Sequence, residues 1–156
     1  MIAKAFFYNG EIFCNQLYEG VSREKNLYDK VNFVLLEMEN QVARMGCIFR
    51  LLHMLSENSS VSRWIRELLK QKELSEEVPV AGLIRQILYD ELGGRKMPSE
   101  ENMTYLVCSI YSRVFCYGML LKAEIYKKKE QRETVRRLTS RGICREVEEI
   151  FAARDE

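Results

Sequence analysis

The chain has 156 residues, of which 47% are hydrophobic and 30% charged, and its formal net charge is +1 at pH 7. This length suits one hydrophobic core, because domains usually contain about 100 to 150 residues. The apolar content excludes a disordered chain, and two prolines and eight glycines are too few for an all-β fold rich in tight turns. We therefore predict a single, mostly α-helical domain over residues 1–156.

The compartment is predicted from the N-terminus and the cysteines. No basic segment followed by a long apolar stretch and a small-residue cleavage site is present, so we expect a cytoplasmic protein. The cysteines are odd in number and include no C-x-x-C pair, which favours buried or half-buried thiols over a disulfide framework. They are Cys14, Cys47, Cys108, Cys116 and Cys144.

Residues 1–20 are compatible with two structures. Two aromatic-rich runs flank Asn9-Gly10, a dipeptide typical of a two-residue turn in a β-hairpin. Alternatively, Asn9 is the N-cap of a short helix that buries Leu17 and ends at Gly20. The sequence favours neither over the other.

Two long helices are predicted where apolar residues recur every three or four positions, the spacing of helices packed at a shallow angle. One covers about 26–56, and the other covers about 100–126 with Ser99 as its N-cap. The second is apolar nearly all round, so we expect other helices to surround it. The recurring positions are Val31, Leu35, Met38, Val42, Met45, Phe49 and Leu52 in the first helix, and Met103, Val107, Ile110, Val114, Tyr117 and Leu121 in the second.

Arg113 lies in the middle of the second long helix. At a bilayer centre an arginine costs about 2.5 to 3.5 kcal/mol, so its presence argues against a membrane span. In a soluble bundle its guanidinium must reach solvent or pair with a carboxylate. Glu37 and Glu39 on the first long helix are the predicted partners.

Two shorter amphipathic helices are predicted between the long ones. The first covers about 61–73 and directs Trp64 inward. Trp64 with Arg63 and Arg66 is also a candidate protein interface, although a tryptophan at this spacing is more often a core residue. The second covers about 78–92, with proline in its first turn and a Gly-Gly stop.

The C-terminal part is divided by charge. Residues 127–145 contain eight basic residues and two glutamates, a net charge of +6, and the last eleven residues have a net charge of −4. We predict a basic helix and then an acidic helix within 127–156, separated at about 138–142. The basic residues are candidates for binding nucleic acid or an acidic partner, and they are Lys127, Lys128, Lys129, Arg132, Arg136, Arg137, Arg141 and Arg145.

These elements predict an antiparallel bundle of five or six helices built around the two long ones, with a small β-hairpin or a short helix at the N-terminus. Two long apolar seams are more than one small chain needs for its own core. The sequence therefore favours a homodimer slightly over a monomer.

Patterns that indicate catalysis or metal binding are weak. Acid–base and nucleophilic chemistry needs a group that titrates near neutral pH, and the single histidine, His53, has no metal-ligand spacing around it. No phosphate-binding loop, dinucleotide-binding motif or zinc-protease motif occurs, and the pair Glu37 and Glu39 is typical of a solvated surface. We predict no catalytic, cofactor-binding or metal site; a cysteine-dependent enzyme is the minor alternative.

The expected function is that of a non-catalytic interaction protein, such as an adaptor, inhibitor or regulatory subunit that binds a protein partner. The alternative is nucleic-acid binding through residues 127–145, alone or within a nucleoprotein complex. The arrangement of the basic residues separates the two. An exposed basic rod can follow a phosphate backbone, whereas basic residues paired inside the protein cannot.

Overall fold

The computed structural model describes residues 14–44 and 79–153. Helices contain 82% of these residues and no strand occurs among them, which confirms the predicted mostly α class. The helices are α1 (described over 14–21), α2 (Leu27–Arg44), α3 (Pro79–Leu92), α4 (Glu100–Lys122) and α5 (Lys129–Ala152). The total of five or six helices and their antiparallel arrangement remain predictions for the whole chain.

The described helices share one hydrophobic core. Helices α2, α4 and α5 contact one another, and α3 packs mainly against α4. Burying a leucine or isoleucine side chain stabilises a fold by about 1.5 to 3 kcal/mol, so a core fed by every helix holds them together. Each helix contributes at least one residue that is almost completely buried, namely Leu17, Leu35, Leu88, Leu106 and Ile143.

Two helices begin at side chains that satisfy free backbone N–H groups. Before α2, the Asn26 side-chain oxygen accepts from the Asp29 N–H at 2.9 Å. Before α4, Ser99 Oγ accepts from the Asn102 N–H at 3.2 Å, which confirms Ser99 as the predicted N-cap. Because the first four N–H groups of a helix have no partner within it, such side chains fix where the helix starts.

Backbone conformation fixes where α3 and α4 end. Gly93 and Gly94 follow α3 with φ of 52° and 92°, a region that glycine enters at little cost, and this confirms the predicted stop. Helix α4 ends at Lys122 rather than near 126, because the chain turns at Glu124, whose φ is 56°. A short connection from this turn leads into α5.

One side of α4 is exposed, which corrects the expectation that other helices surround it. Tyr105 is 56% exposed, and Cys108, Ser112 and Cys116 are exposed as well. By length and composition alone, the segment Glu100–Leu121 is apolar enough to cross a membrane, with a mean hydropathy of 1.3 and 33% of the window buried. Such a finding for one helix is weak evidence, since core helices of soluble proteins pass the same test.

The C-terminal part forms one continuous helix, so the predicted break at 138–142 is wrong. Gly142 costs a helix about 1 kcal/mol relative to alanine. Packing outweighs this cost, because Ser140, Ile143 and Val147 follow one another on the buried side of α5 across the glycine. Tertiary burial therefore keeps the helix intact where local propensity favours a stop.

Several predictions fall partly or wholly on residues outside those described. They concern the hairpin turn at Asn9-Gly10, the second half of the 26–56 helix, Cys47, His53, the 61–73 helix, and the candidate interface Trp64, Arg63 and Arg66. Of the N-terminal segment, residues 14–21 are helical and Leu17 is buried, as the helical alternative predicts for that part.

Candidate functional site

Two of the eight candidate basic residues face the interior of the bundle. Arg132 Nε donates to Glu39 Oε1 at 2.8 Å, and Arg136 Nη1 donates to Glu39 Oε2. The Tyr117 hydroxyl also donates to Glu39 Oε2, at 3.1 Å. These four residues, which we call the Glu39 cluster, join α2, α4 and α5. Glu39 is therefore not the solvated carboxylate that the sequence predicted, and its side chain is 20% exposed.

The Glu39 cluster holds its tyrosine in the neutral form. Burial and then the charge of Glu39 raise the pKa of Tyr117 to about 12, against the opposing influence of Arg136. Tyr117 is therefore a hydrogen-bond donor at neutral pH. Arg132 extends the cluster to the turn before α5, because its Nη1 donates to the Lys127 carbonyl at 2.8 Å.

One buried polar atom of this cluster and one next to it have no hydrogen-bond partner within the described part of the chain. They are Arg136 Nε and Ser140 Oγ, one helical turn apart on α5. An unpaired buried polar group costs about 1 to 3 kcal/mol. The charged hydrogen bonds to Glu39 must therefore offset the cost of these two unpaired atoms.

Arg113 pairs with a different carboxylate from those the sequence indicated. Its Nη2 lies 2.6 Å from Glu146 Oε2, and Ser109 Oγ donates to Glu146 at 3.1 Å. The predicted partners are engaged elsewhere, since Glu37 accepts from Asn40 and Glu39 accepts from the α5 arginines. The Arg113–Glu146 pair therefore ties α4 to the second half of α5 and not to α2.

Three other arginines of α5 face outward. Arg137, Arg141 and Arg145 are exposed and follow one another at intervals of four residues, so they lie along one side of the helix. Each interval rises about 6 Å, and the row is about 12 Å long. We call these three residues the arginine stripe. Leu138, which is 58% exposed, lies beside them and adds an apolar contact surface.

The exposed positive charge of α5 lies in two places, the arginine stripe and Lys129 at the start of the helix. Lys127 lies 3.8 Å from Glu124, and Lys129 lies 3.8 Å from Glu133. Exposed glutamates thus bracket the arginine stripe, and basic and acidic residues are equal in number on the exposed surface of α5. The basic ones are Lys129, Arg137, Arg141 and Arg145, and the acidic ones are Glu130, Glu133, Glu148 and Glu149.

The described cysteines differ in their surroundings. Cys14 is buried and Cys144 half-buried, as predicted, whereas Cys108 and Cys116 are exposed, which corrects the prediction for these two. Burial raises the pKa of the Cys144 thiol to about 11, and the nearby carboxylates add to this. A reactive thiol needs a lowered pKa, so the Cys144 environment disfavours the nucleophilic thiolate.

Within residues 14–44 and 79–153, no cluster of three or more His, Cys, Asp or Glu side chains could hold a metal ion. Comparisons with protein families, curated proteins and solved structures found no match to this chain.

Proposed function

We propose that this protein is a non-catalytic interaction protein that binds an acidic segment of a protein partner through the arginine stripe. The observation that carries the proposal is the limited length of the stripe, about 12 Å by helical rise, with exposed glutamates at both ends. A short acidic segment fits between these ends without meeting like charge.

The chemistry of the stripe favours carboxylates presented by another protein. A guanidinium presents its N–H groups as a planar fork that matches a carboxylate in two parallel hydrogen bonds. A partner helix with acidic residues four positions apart would place its carboxylates at the same rise as Arg137, Arg141 and Arg145. Leu138 beside the stripe would then meet an apolar residue of that partner, as in interfaces where arginine and apolar anchors combine.

The same geometry weakens the nucleic-acid reading of the basic stretch. A phosphate backbone continues beyond both ends of the stripe, where Glu133 and Glu148 are exposed. Arg132 and Arg136 are also engaged by Glu39 and are not available to phosphates without breaking that cluster. Both features favour a short acidic protein segment over a continuous polyanion.

The test is a pull-down from native lysate, with and without nuclease, using two charge-reversal variants. One replaces the stripe (Arg137→Glu, Arg141→Glu, Arg145→Glu), and the matched control replaces Lys127→Glu, Lys128→Glu and Lys129→Glu. We expect a protein that survives nuclease treatment, is lost by the stripe variant and is kept by the control. Because a hot-spot residue contributes about 2 kcal/mol or more, affinity should fall more than about 100-fold. Full retention by the stripe variant would contradict the proposal.

Nucleic-acid binding is the second candidate, and one observation favours it. Lys127, Lys128 and Lys129 are consecutive, exposed and placed at the N-terminus of α5, where the helix dipole adds positive charge. Low-salt titration with DNA and RNA tests this site. Binding that falls steeply with salt and is lost in the lysine control variant would support it. No binding at tens of micromolar protein, near the roughly 100 micromolar limit of non-specific affinity, would exclude the nucleic-acid candidate and leave binding to a protein partner as the remaining proposal.

A further inference from the structure

The Glu39 cluster shows how two arginines of α5 share one carboxylate. Arg132 Nε donates to Glu39 Oε1 at 2.8 Å, and Arg136 Nη1 donates to Glu39 Oε2. The two arginines are four residues apart, so their side chains leave the same side of α5 from successive turns. Each oxygen of the carboxylate therefore accepts a charged hydrogen bond from a different turn of this helix.

The arginine stripe repeats this spacing on the outer side of α5. Arg137 and Arg141 are four residues apart, and so are Arg141 and Arg145. Each pair has the rise of about 6 Å and the rotation of about 40° that relate Arg132 to Arg136. Within the described part of the chain, the stripe side chains form no ion pair or hydrogen bond. Each pair can therefore accept a carboxylate from another molecule in the way that the inner pair accepts Glu39.

Glutamates limit how many carboxylates the stripe can accept. Glu133 lies four residues before Arg137, and Glu149 lies four residues after Arg145, so both continue the same row along α5. Both glutamates are exposed. The row thus contains two intervals between arginines, and the next interval at either end lies between an arginine and a glutamate. A carboxylate there would meet like charge, which is destabilising at this spacing. The stripe therefore has places for two carboxylates.

We propose that the acidic partner segment presents two carboxylates about 6 Å apart, each held by two arginines of the stripe. One carboxylate lies between Arg137 and Arg141, and the other lies between Arg141 and Arg145. A partner helix supplies this spacing with two acidic residues four positions apart. Arg141 contacts both carboxylates and therefore contributes most to recognition. This inference rests on the proposed function, because it specifies the acidic segment that the stripe binds.

Titration with synthetic peptides, followed by NMR of the full-length protein, tests the number and spacing of the carboxylates. The peptides are alanine-based helices of about twenty residues, long enough to be helical alone. The first has two glutamates four positions apart, the second has two glutamates two positions apart, and the third has three glutamates at intervals of four. We expect the first to bind more tightly than the second, whose carboxylates leave different sides of the helix. The third should gain less than the roughly 3-fold of one more exposed ion pair, because its extra carboxylate meets a bracketing glutamate.

Single substitutions test whether Arg141 is shared by the two carboxylates. Arg141→Gln should weaken binding of the first peptide about 10-fold, because both carboxylates lose an arginine. Arg137→Gln and Arg145→Gln should each weaken it about 3-fold, since one carboxylate is affected. The matched control is Lys25→Gln, which removes the same charge at an exposed position before α2 and should leave the affinity unchanged. Circular dichroism checks that the variants are folded.

Three outcomes would overturn this inference. Equal losses for the three arginines, with tighter binding of the third peptide, would show that each arginine binds its own carboxylate. Equal affinity for the first and second peptides would show charge attraction without a required spacing. Both results leave the proposed function in place, because the stripe still binds acidic peptides. No binding of any peptide at millimolar concentration would also overturn the inference, and the pull-down with the stripe variant then decides the proposed function separately.

Discussion

Arg136 and Arg137 are consecutive residues of the same type with opposite surroundings. The Arg136 side chain is 12% exposed and donates to Glu39, whereas Arg137 is exposed on the other side of α5. Neighbouring residues of a helix point about 100° apart, so a basic run of nineteen residues divides between interior and surface. The net charge of a segment therefore does not describe the surface it presents, and the helical position of each charge does.

The largest difference in stability between the two sides of α5 is expected when their apolar residues are truncated. Ile143 is completely buried, and Leu138 is 58% exposed. Ile143→Ala should lower the free energy of unfolding by about 3 kcal/mol, because such core truncations cost about 2 to 5 kcal/mol. The matched control Leu138→Ala should change it by less than about 0.5 kcal/mol. Urea denaturation followed by circular dichroism measures both. Similar losses in the two variants would show that α5 does not have an inner and an outer side.

The second-largest difference in stability is expected between the ion pairs on the two sides of α5. Glu39→Gln keeps the side-chain shape but leaves Arg132 and Arg136 without their carboxylate. We expect it to lower the free energy of unfolding by about 2 kcal/mol, which is less than the roughly 3 to 5 kcal/mol for breaking a fully buried pair. The control is Glu133→Gln, whose side chain is 50% exposed and lies 3.8 Å from Lys129, and it should cost less than about 0.5 kcal/mol. A Glu39→Gln variant as stable as the native protein would mean that the cluster adds nothing.

Glu146 offers an intermediate case. Its partner Arg113 has a side chain that is 38% exposed, so on loss of the carboxylate the guanidinium can turn to water. Glu146→Gln should therefore cost about 1 kcal/mol, less than Glu39→Gln. A double-mutant cycle with Arg113→Met measures the interaction energy between Arg113 and Glu146. Asn40→Ala, a substitution on α2, is the control. A larger loss than for Glu39→Gln would reverse the ranking of the two carboxylates.

The structural features that the sequence predicted correctly depend on a few neighbouring residues. Ser99 caps α4 and Gly93-Gly94 ends α3 because each signal acts within one turn of helix. The recurring apolar positions of α4 are buried for the same reason, since a period of 3.6 residues records one buried side. They are Met103, Val107, Ile110, Val114 and Tyr117. Local rules therefore predicted the class of fold, the end of α3 and the start of α4.

Ion pairs between distant residues were not predictable in this way. Arg132 and Arg136 lie 93 and 97 residues from Glu39, and no spacing rule connects them. One signal was nevertheless present. Arg136 lies seven residues before Ile143, so it shares the buried side of α5 if the helix continues through Gly142. The predicted break at 138–142 concealed this relation, and with it the division of the basic stretch into inner and outer residues.

The smallest expected effect concerns Cys144, which lies between the two sides of α5. Burial raises its pKa from the ordinary 9.0 to about 11. Below pH 9 the thiol is protonated in both the folded and the unfolded chain, and its contribution to stability is fully present. Between pH 9 and 11 the unfolded chain releases this proton while the folded chain keeps it, so stability falls as pH rises. The loss should stay below about 1 kcal/mol, because Cys144 is only half-buried and solvent screens it. Urea denaturation at several pH values should show that Cys144→Ala removes this part of the pH dependence, whereas Cys108→Ser, a change at an exposed thiol, keeps it. If the stability of Cys144→Ala falls as steeply above pH 9 as that of the native protein, burial of this thiol does not contribute to the pH dependence.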